Sequence, residues 1–178
     1  RCPFLVDGKT NILFAGRYDE QKGISHLIYI VRQLQDMPEY HFHVVGGGKL
    51  QNLVDAQLGT LPNVSLHTPV FGISRYLASF DYMLMPSEFE GLPLMSVEAS
   101  SAGLPVVCSD CKGLNETVPA DWQLTAHGNS HEEYMQIFRN VIPHADRAAL
   151  AQTARRFVRE HFSVEKMQAG YEQVYRQE

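Results

Sequence analysis

The feature that most constrains the fold of this 178-residue chain is a regular alternation of short apolar runs with helix-period patterns. Strand-like runs stand at Asn11–Ala15, His41–Val45, Val64–Leu66, Tyr82–Met85 and Pro105–Cys108, with a weaker one at Gln123–Thr125. Between them the spacing predicts helices over Ser25–Gln35, Leu50–Leu58, Ile73–Ser79, Leu94–Ser101 and Gly113–Val118. Ser25 is placed to cap the first, whose apolar face carries Leu27, Ile28, Ile30, Val31 and Leu34. Strand and helix in strict turn mean βαβ units, hence a parallel sheet with helices on both faces. The expected fold is a Rossmann-like three-layer α/β/α arrangement with about six parallel strands. Beyond residue 130 the pattern is helical only, with helices expected over Glu132–Val141, Ala145–His161 and Ser163–Arg176. Ser163 would cap the last of them. No repeat, low-complexity segment or long linker interrupts the chain, so residues 1–178 read as a single domain.

Open parallel sheets bind ligands at the carboxyl ends of their strands. That rule gathers four segments on one edge: Gly16-Arg17 after the first strand, Gly46 to Gly48 after the second, Ser87 to Gly91 after the fourth and Ser109 to Gly113 after the fifth. Glu90, in the third of these, and Glu98, in the helix that follows, are separated by seven residues across a loop-to-helix junction marked by Gly91 and Pro93. Amides at a helix start face anions, and two carboxylates at separated points suit a hydroxyl-rich ligand.

These same blocks carry a resemblance. Glu90, Glu98, Ala99, Gly103, Pro105 and Val106 reproduce the pattern Glu, seven residues, Glu-Ala-x-x-x-Gly-x-Pro-Val. Gly16-Arg17 with Lys22-Gly23 forms a second block, Val44 to Gly48 a third and Gly113-Leu-Asn-Glu116 a weaker fourth, departing from the pattern at Lys112. The chain thus resembles the C-terminal, donor-binding domain of a family-four retaining glycosyltransferase of the two-domain GT-B fold. The resemblance implies that Arg17 and Lys22 bind the diphosphate of a nucleotide sugar, helped by backbone near Gly91-Leu92. It implies that Glu98 holds the ribose and Glu90 faces the donor sugar, with Gly16, Gly46 and Gly48 as further donor-binding residues. The catalytic contribution of this half would come from Arg17, Lys22 and Glu90. It further implies a hexosyltransferase-type activity needing no metal and no cofactor beyond the nucleotide-sugar substrate. The acceptor would lie on a separate N-terminal domain, so that this chain alone is expected to be inactive. The nucleobase would lodge against His67–Gly72, where backbone recognition leaves UDP, GDP and ADP donors open. A non-catalytic sugar-nucleotide-binding regulatory module and a GT-B sugar-nucleotide epimerase remain alternatives.

Composition bears on what else the chain could be. A net charge of -5 argues against a nucleic-acid footprint, and no run reaches the length of a membrane span. Three cysteines cannot all pair with one another, which fits a reducing, cytoplasmic setting; contact with the inner face of a membrane would fall to the missing half. Cys108-x2-Cys111 and His127-x3-His131 match a zinc-finger spacing, but Cys108 ends an apolar strand rather than opening a small metal-organised unit. The glycines at 46 to 48 lack the third glycine of a dinucleotide loop, where Gln51 stands. His41 and His43 share one face of a short strand and read as core or edge residues. Arg147, Arg155, Arg156 and Arg159 read as a solvated helix face, and Tyr171, Val174 and Tyr175 as an apolar stripe on the last helix.

Overall fold

The computed structural model describes residues 2–3, 5–91 and 93–162. Six strands form one parallel sheet: β1 (Thr10–Arg17), β2 (Tyr40–Gly47), β3 (Val64–His67), β4 (Tyr82–Met85), β5 (Val106–Ser109) and β6 (Thr125–Ala126). Their order is β3-β2-β1-β4-β5-β6. β1 and β2 pair over their full lengths, from Thr10 opposite Tyr40 to Arg17 opposite Gly47. Every residue of β4 and β5 is buried, as expected of strands covered on both faces. The chain winds outward to β3 and then returns to lay β4 against β1, so strand order reverses between those two. That reversal opens a crevice at the carboxyl ends of β1 and β4.

The first helix, α1 (Ile24–Gln33), buries Ile24, Leu27, Ile30 and Val31 on one face. It begins before Ser25, and the expected serine cap is not made: its start is Gly23, in the left-handed region at φ 70°. The reason is packing. A Cβ at residue 23 would lie 1.8 Å from the Pro86 carbonyl oxygen, so the backbone itself is pressed against the β4 loop. α2 (Gln51–Leu58) and α3 (Leu94–Ala102) follow the expected pattern closely.

Two expected α-helices are wound differently. Ile73–Ser79 is a seven-residue 3-10 stretch. The crossover from β3 to β4 traverses three strand spacings, roughly 14 Å, and 3-10 winding covers more distance per residue than α. Within Gly113–Val118 only Asn115–Thr117 is helical, again 3-10. Val118 is driven into extended geometry by the proline that follows it. The predicted helix over Glu132–Val141 is α4 (His131–Gln136), continued by a π turn over Ile137–Val141. Ser130 and Glu133 close a reciprocal cap on α4. α5 (Arg147–Phe162) packs on α3. The predicted helix over Ser163–Arg176 and its stripe of Tyr171, Val174 and Tyr175 lie outside the described residues.

Candidate active site at the strand-order reversal

β1 delivers Gly16 and Arg17 to its carboxyl edge, and the chain then turns through Tyr18 and Asp19. The Asp19 carboxylate accepts from the Lys22 amide at 3.1 Å, capping a short 3-10 turn over Glu20–Lys22. With Gly23 seated on Pro86, this turn fixes where the Lys22 side chain starts. On the other side of the crevice, the loop after β4 is stitched to the same turn. The Glu88 amide donates to the Gln21 carbonyl at 2.8 Å, and the Gln21 side-chain amide donates to the Phe89 carbonyl at 3.2 Å.

These two loops bring Lys22 and Glu90 together. Lys22 Nζ lies 2.6 Å from Glu90 Oε1, and the side chains are only 23% and 6% exposed. Ser87 Oγ donates to the same carboxylate oxygen at 2.7 Å. Behind them Gly113, at φ 87°, lets its loop pack directly on the backbone of Glu90 and Gly91; a Cβ there would meet the Gly91 oxygen at 2.1 Å. The Glu90 carboxylate is therefore nearly buried and held by two side chains, with its backbone pinned from behind.

Two adjoining cavities lie in the crevice, the first lined by this pair. One of about 190 Å³ is lined by Phe14, Lys22, Leu84, Ser87, Glu90 and Met95, among others. The other, about 280 Å³, is bounded by Gly16, Arg17, Gly46, Gly47, Pro69, Val70 and Ile73 and shares Ala15 and Met95 with the first. Pro69 and Val70 belong to the stretch expected to receive a nucleobase. Arg17 is 70% exposed, with long contacts of 3.5 Å to Asp19 and Gln21, so its guanidinium remains available above the larger cavity. Gly91 faces open space, and α3 begins just beyond at Leu94. The amides of Leu94 and Met95 fall in its first turn, which has no intrahelical acceptors for them.

Other expected residues are placed differently. Gly46 lets β2 approach β1, where a Cβ would lie 1.9 Å from the Gly16 oxygen, and Gly48 packs on the Tyr18 backbone. Glu98 is exposed, one turn beyond Met95, without a hydrogen bond or ion pair among the described residues; it does not line either cavity. Leu92 lies outside the described residues. The residues of the zinc-like spacing are dispersed among other contacts. Cys108 is buried with Sγ 3.7 Å from Thr125 Oγ1, and burial pushes its thiol up to about 12. His127 bonds Asp110 at 2.9 Å and holds that carboxyl below its usual range, while His131 stacks on Tyr29 at 3.8 Å. Among the described residues no three His, Cys, Asp or Glu side chains converge to hold a metal ion. No helix there is long and apolar enough to cross a membrane.

Sequence reasoning assigned no role to Ser87, Ser109, Gln21 or Asp19, although Ser87 and Ser109 fell within the blocks it gathered. The available signal was a serine at the carboxyl end of a buried strand, twice on the same sheet edge: Ser109 as the last residue of β5 and Ser87 two residues past β4.

A parallel sheet in this order, with charged and glycine-bearing loops at the reversal, defines a Rossmann-like α/β domain with its ligand crevice at the strand-order switch. The profile of the glycosyl transferases group 1 family matches residues 9–159, and the chain belongs to that family, family four of the glycosyltransferases. An uncharacterized 41.2 kDa protein of the cps region of Klebsiella pneumoniae is 31% identical over 116 residues, 62% of this chain and 30% of that protein. The putative teichuronic acid biosynthesis glycosyltransferase TuaC of Bacillus subtilis is 29% identical over 136 residues, 71% of this chain and 34% of that protein. The chain thus spans about a third of the length of these curated relatives. Among solved structures, Anabaena HepE in complex with UDP superposes with a TM-score of 0.79 at 21% identity, covering 94% of this chain and 49% of that one. Sucrose-phosphate synthase from Thermosynechococcus elongatus gives 0.78 at 22% identity, covering 97% and 46%. At these identities the structural likeness carries the fold.

Proposed function

We propose that this chain is the donor-binding half of a retaining hexosyltransferase that moves a glycosyl group from a nucleoside diphosphate sugar to an acceptor. The observation that supports this best is the Lys22–Glu90 pair at the strand-order reversal, lining one cavity that shares Ala15 and Met95 with a second. An ammonium group has three donors, and the bond to Glu90 uses one, leaving others for phosphate oxygens. Arg17 adds a planar fork suited to two-point phosphate contact. Between them they face the first turn of α3, whose free amides complement an anion. As the bond between the anomeric carbon and the diphosphate breaks, negative charge grows on the leaving group, and cations and N–H dipoles already in place stabilise it. The departing diphosphate takes the proton of the acceptor hydroxyl, so this half supplies no side-chain general base. HepE, which shares this fold, is in complex with UDP; in this chain the base would lie against Pro69 and Val70, which bound the larger cavity. Glu98, without a hydrogen bond or ion pair among the described residues and one turn beyond Met95, would accept from ribose hydroxyls.

Calorimetric titration of the chain with UDP, GDP, ADP and their glucose conjugates tests the assignment. Glu98→Ala should weaken the free nucleotide and its conjugate alike, by about tenfold to a hundredfold for a charged hydrogen bond. Glu90→Ala should spare the free nucleotide and weaken the conjugate. Equal losses for Glu90→Ala, or no binding to folded wild type, would refute the division of roles.

A further inference from the structure

We propose that Ser87 is a positioning residue for Glu90, braced by Ser109, and that the pair commits one carboxylate oxygen to the protein so that the other faces the donor sugar. The inference rests on the reading of the crevice as a nucleotide-sugar site. Glu90 Oε1 receives both Lys22 Nζ at 2.6 Å and Ser87 Oγ at 2.7 Å. Oε2 has no hydrogen bond among the described residues, yet it is not among their buried, unsatisfied atoms, so it keeps access to the space beside it. The smaller cavity, which Ser87 and Glu90 both line, is the space assigned to it by this proposal.

Lysine alone would not select an oxygen. Its ammonium is a compact charge with rotatable donors, and the terminal torsion of a glutamate is broad and roughly two-fold. A hydroxyl approaching from a second direction removes that freedom. Ser87 is 1% exposed and Ser109 is fully buried, so water does not compete for either group. Ser109 Oγ donates to the Ser87 carbonyl at 2.5 Å, tying the end of β5 to the residue that holds Glu90. The line Ser109, Ser87, Glu90, Lys22 therefore runs from the buried end of one strand to the charge centre. It fixes the orientation of the acceptor oxygen, whereas the charge itself would survive without it.

The test uses Ser87→Ala and Ser87→Thr in the chain as it stands, titrated with UDP, GDP, ADP and the glucose conjugate of each, together with ligand-free crystal structures of both variants. Ser87→Ala should leave free-diphosphate affinity unchanged and weaken the matching conjugate by about tenfold. Ser87→Thr should restore it. In the Ser87→Ala crystal the Glu90 carboxylate should be rotated or split between two positions. Equal weakening of nucleotide and conjugate would overturn the proposal, as would a Glu90 carboxylate that does not move. If wild type binds none of the six ligands, the donor-site reading fails, and the crystal structures alone decide whether Ser87 orients Glu90.

Discussion

His43 should make this fold sensitive to acid, by an amount the structure allows to be worked out. The side chain is fully buried in β2, with Nε2 2.9 Å from Asn11 Oδ1 and Nδ1 3.4 Å from His67 Nε2. Asn11 Oδ1 can only accept, so Nε2 carries the proton and Nδ1 is the bare nitrogen. Charging the ring would place a second N–H against His67, with the His41 ring only 5.0 Å away. Burial, with help from His41 and His67, pushes His43 down to about 3. An unfolded chain takes up that proton near pH 6.5 or so. Below it the unfolded state binds a proton that the native state refuses, so stability falls as pH falls, until the native group titrates as well. The slope is about 1.4 kcal/mol per pH unit. From about pH 6.5, where the unfolded ring is half protonated and the slope only half developed, to about pH 4.5, His43 alone removes roughly 2.3 kcal/mol, a large part of an ordinary stability of about 5–15 kcal/mol. Urea unfolding followed by far-UV circular dichroism across that range, on wild type and His43→Gln, isolates the effect. Carboxylates held low in the native state, such as Asp36 and Glu133, also weaken the fold in acid, but they are common to both proteins. The variant should start less stable at neutral pH and lose about 2–3 kcal/mol less on acidification. Parallel stability lines would show that native His43 accepts its proton normally and would refute the argument.

Two further outcomes follow from packing and hydrogen bonding. Gly23→Ala adds a methyl 1.8 Å from the Pro86 oxygen at a left-handed φ, and should cost about 3 kcal/mol or more, read as a fall in thermal midpoint; an unchanged midpoint would mean that the two loops are not pressed together. Trp122→Phe removes the indole N–H that donates to the buried Val106 carbonyl at 2.7 Å. A loss of about 1–3 kcal/mol is expected in urea unfolding, and a neutral result would mean that the carbonyl finds another donor.

The strands and the edge of the sheet that carries the site were legible because both depend on patterns of local composition. Apolar runs such as Tyr82–Met85 have no other stable place than the middle of a covered sheet, and glycine with charge immediately after a strand marks its working end. Winding was less legible. Ile73–Ser79 has the apolar spacing of an α-helix, but its geometry answers to the distance between β3 and β4, which no window of sequence contains. The same holds for the entry to α1, where Ser25 offered a cap and a contact with Pro86, sixty-three residues away, decided otherwise. Around Glu90 the carboxylate could be picked out from its motif. Ser87 and Ser109 could not, because a serine after a strand has many uses and only the assembled sheet shows which atoms it reaches.

The stitching of the Lys22 turn to the Glu90 loop also sets an order of events during synthesis. The two partners are separated by 68 positions in the chain, and the backstop behind Glu90 comes later still, at Gly113. Local winding can begin as soon as α1 leaves the ribosome, but the charge centre has no stable geometry until β4 has slotted beside β1 and the loop after β5 has closed behind it. Competence for an anionic ligand therefore arrives late, as a by-product of closing the middle of the sheet, and reports that the closure is complete.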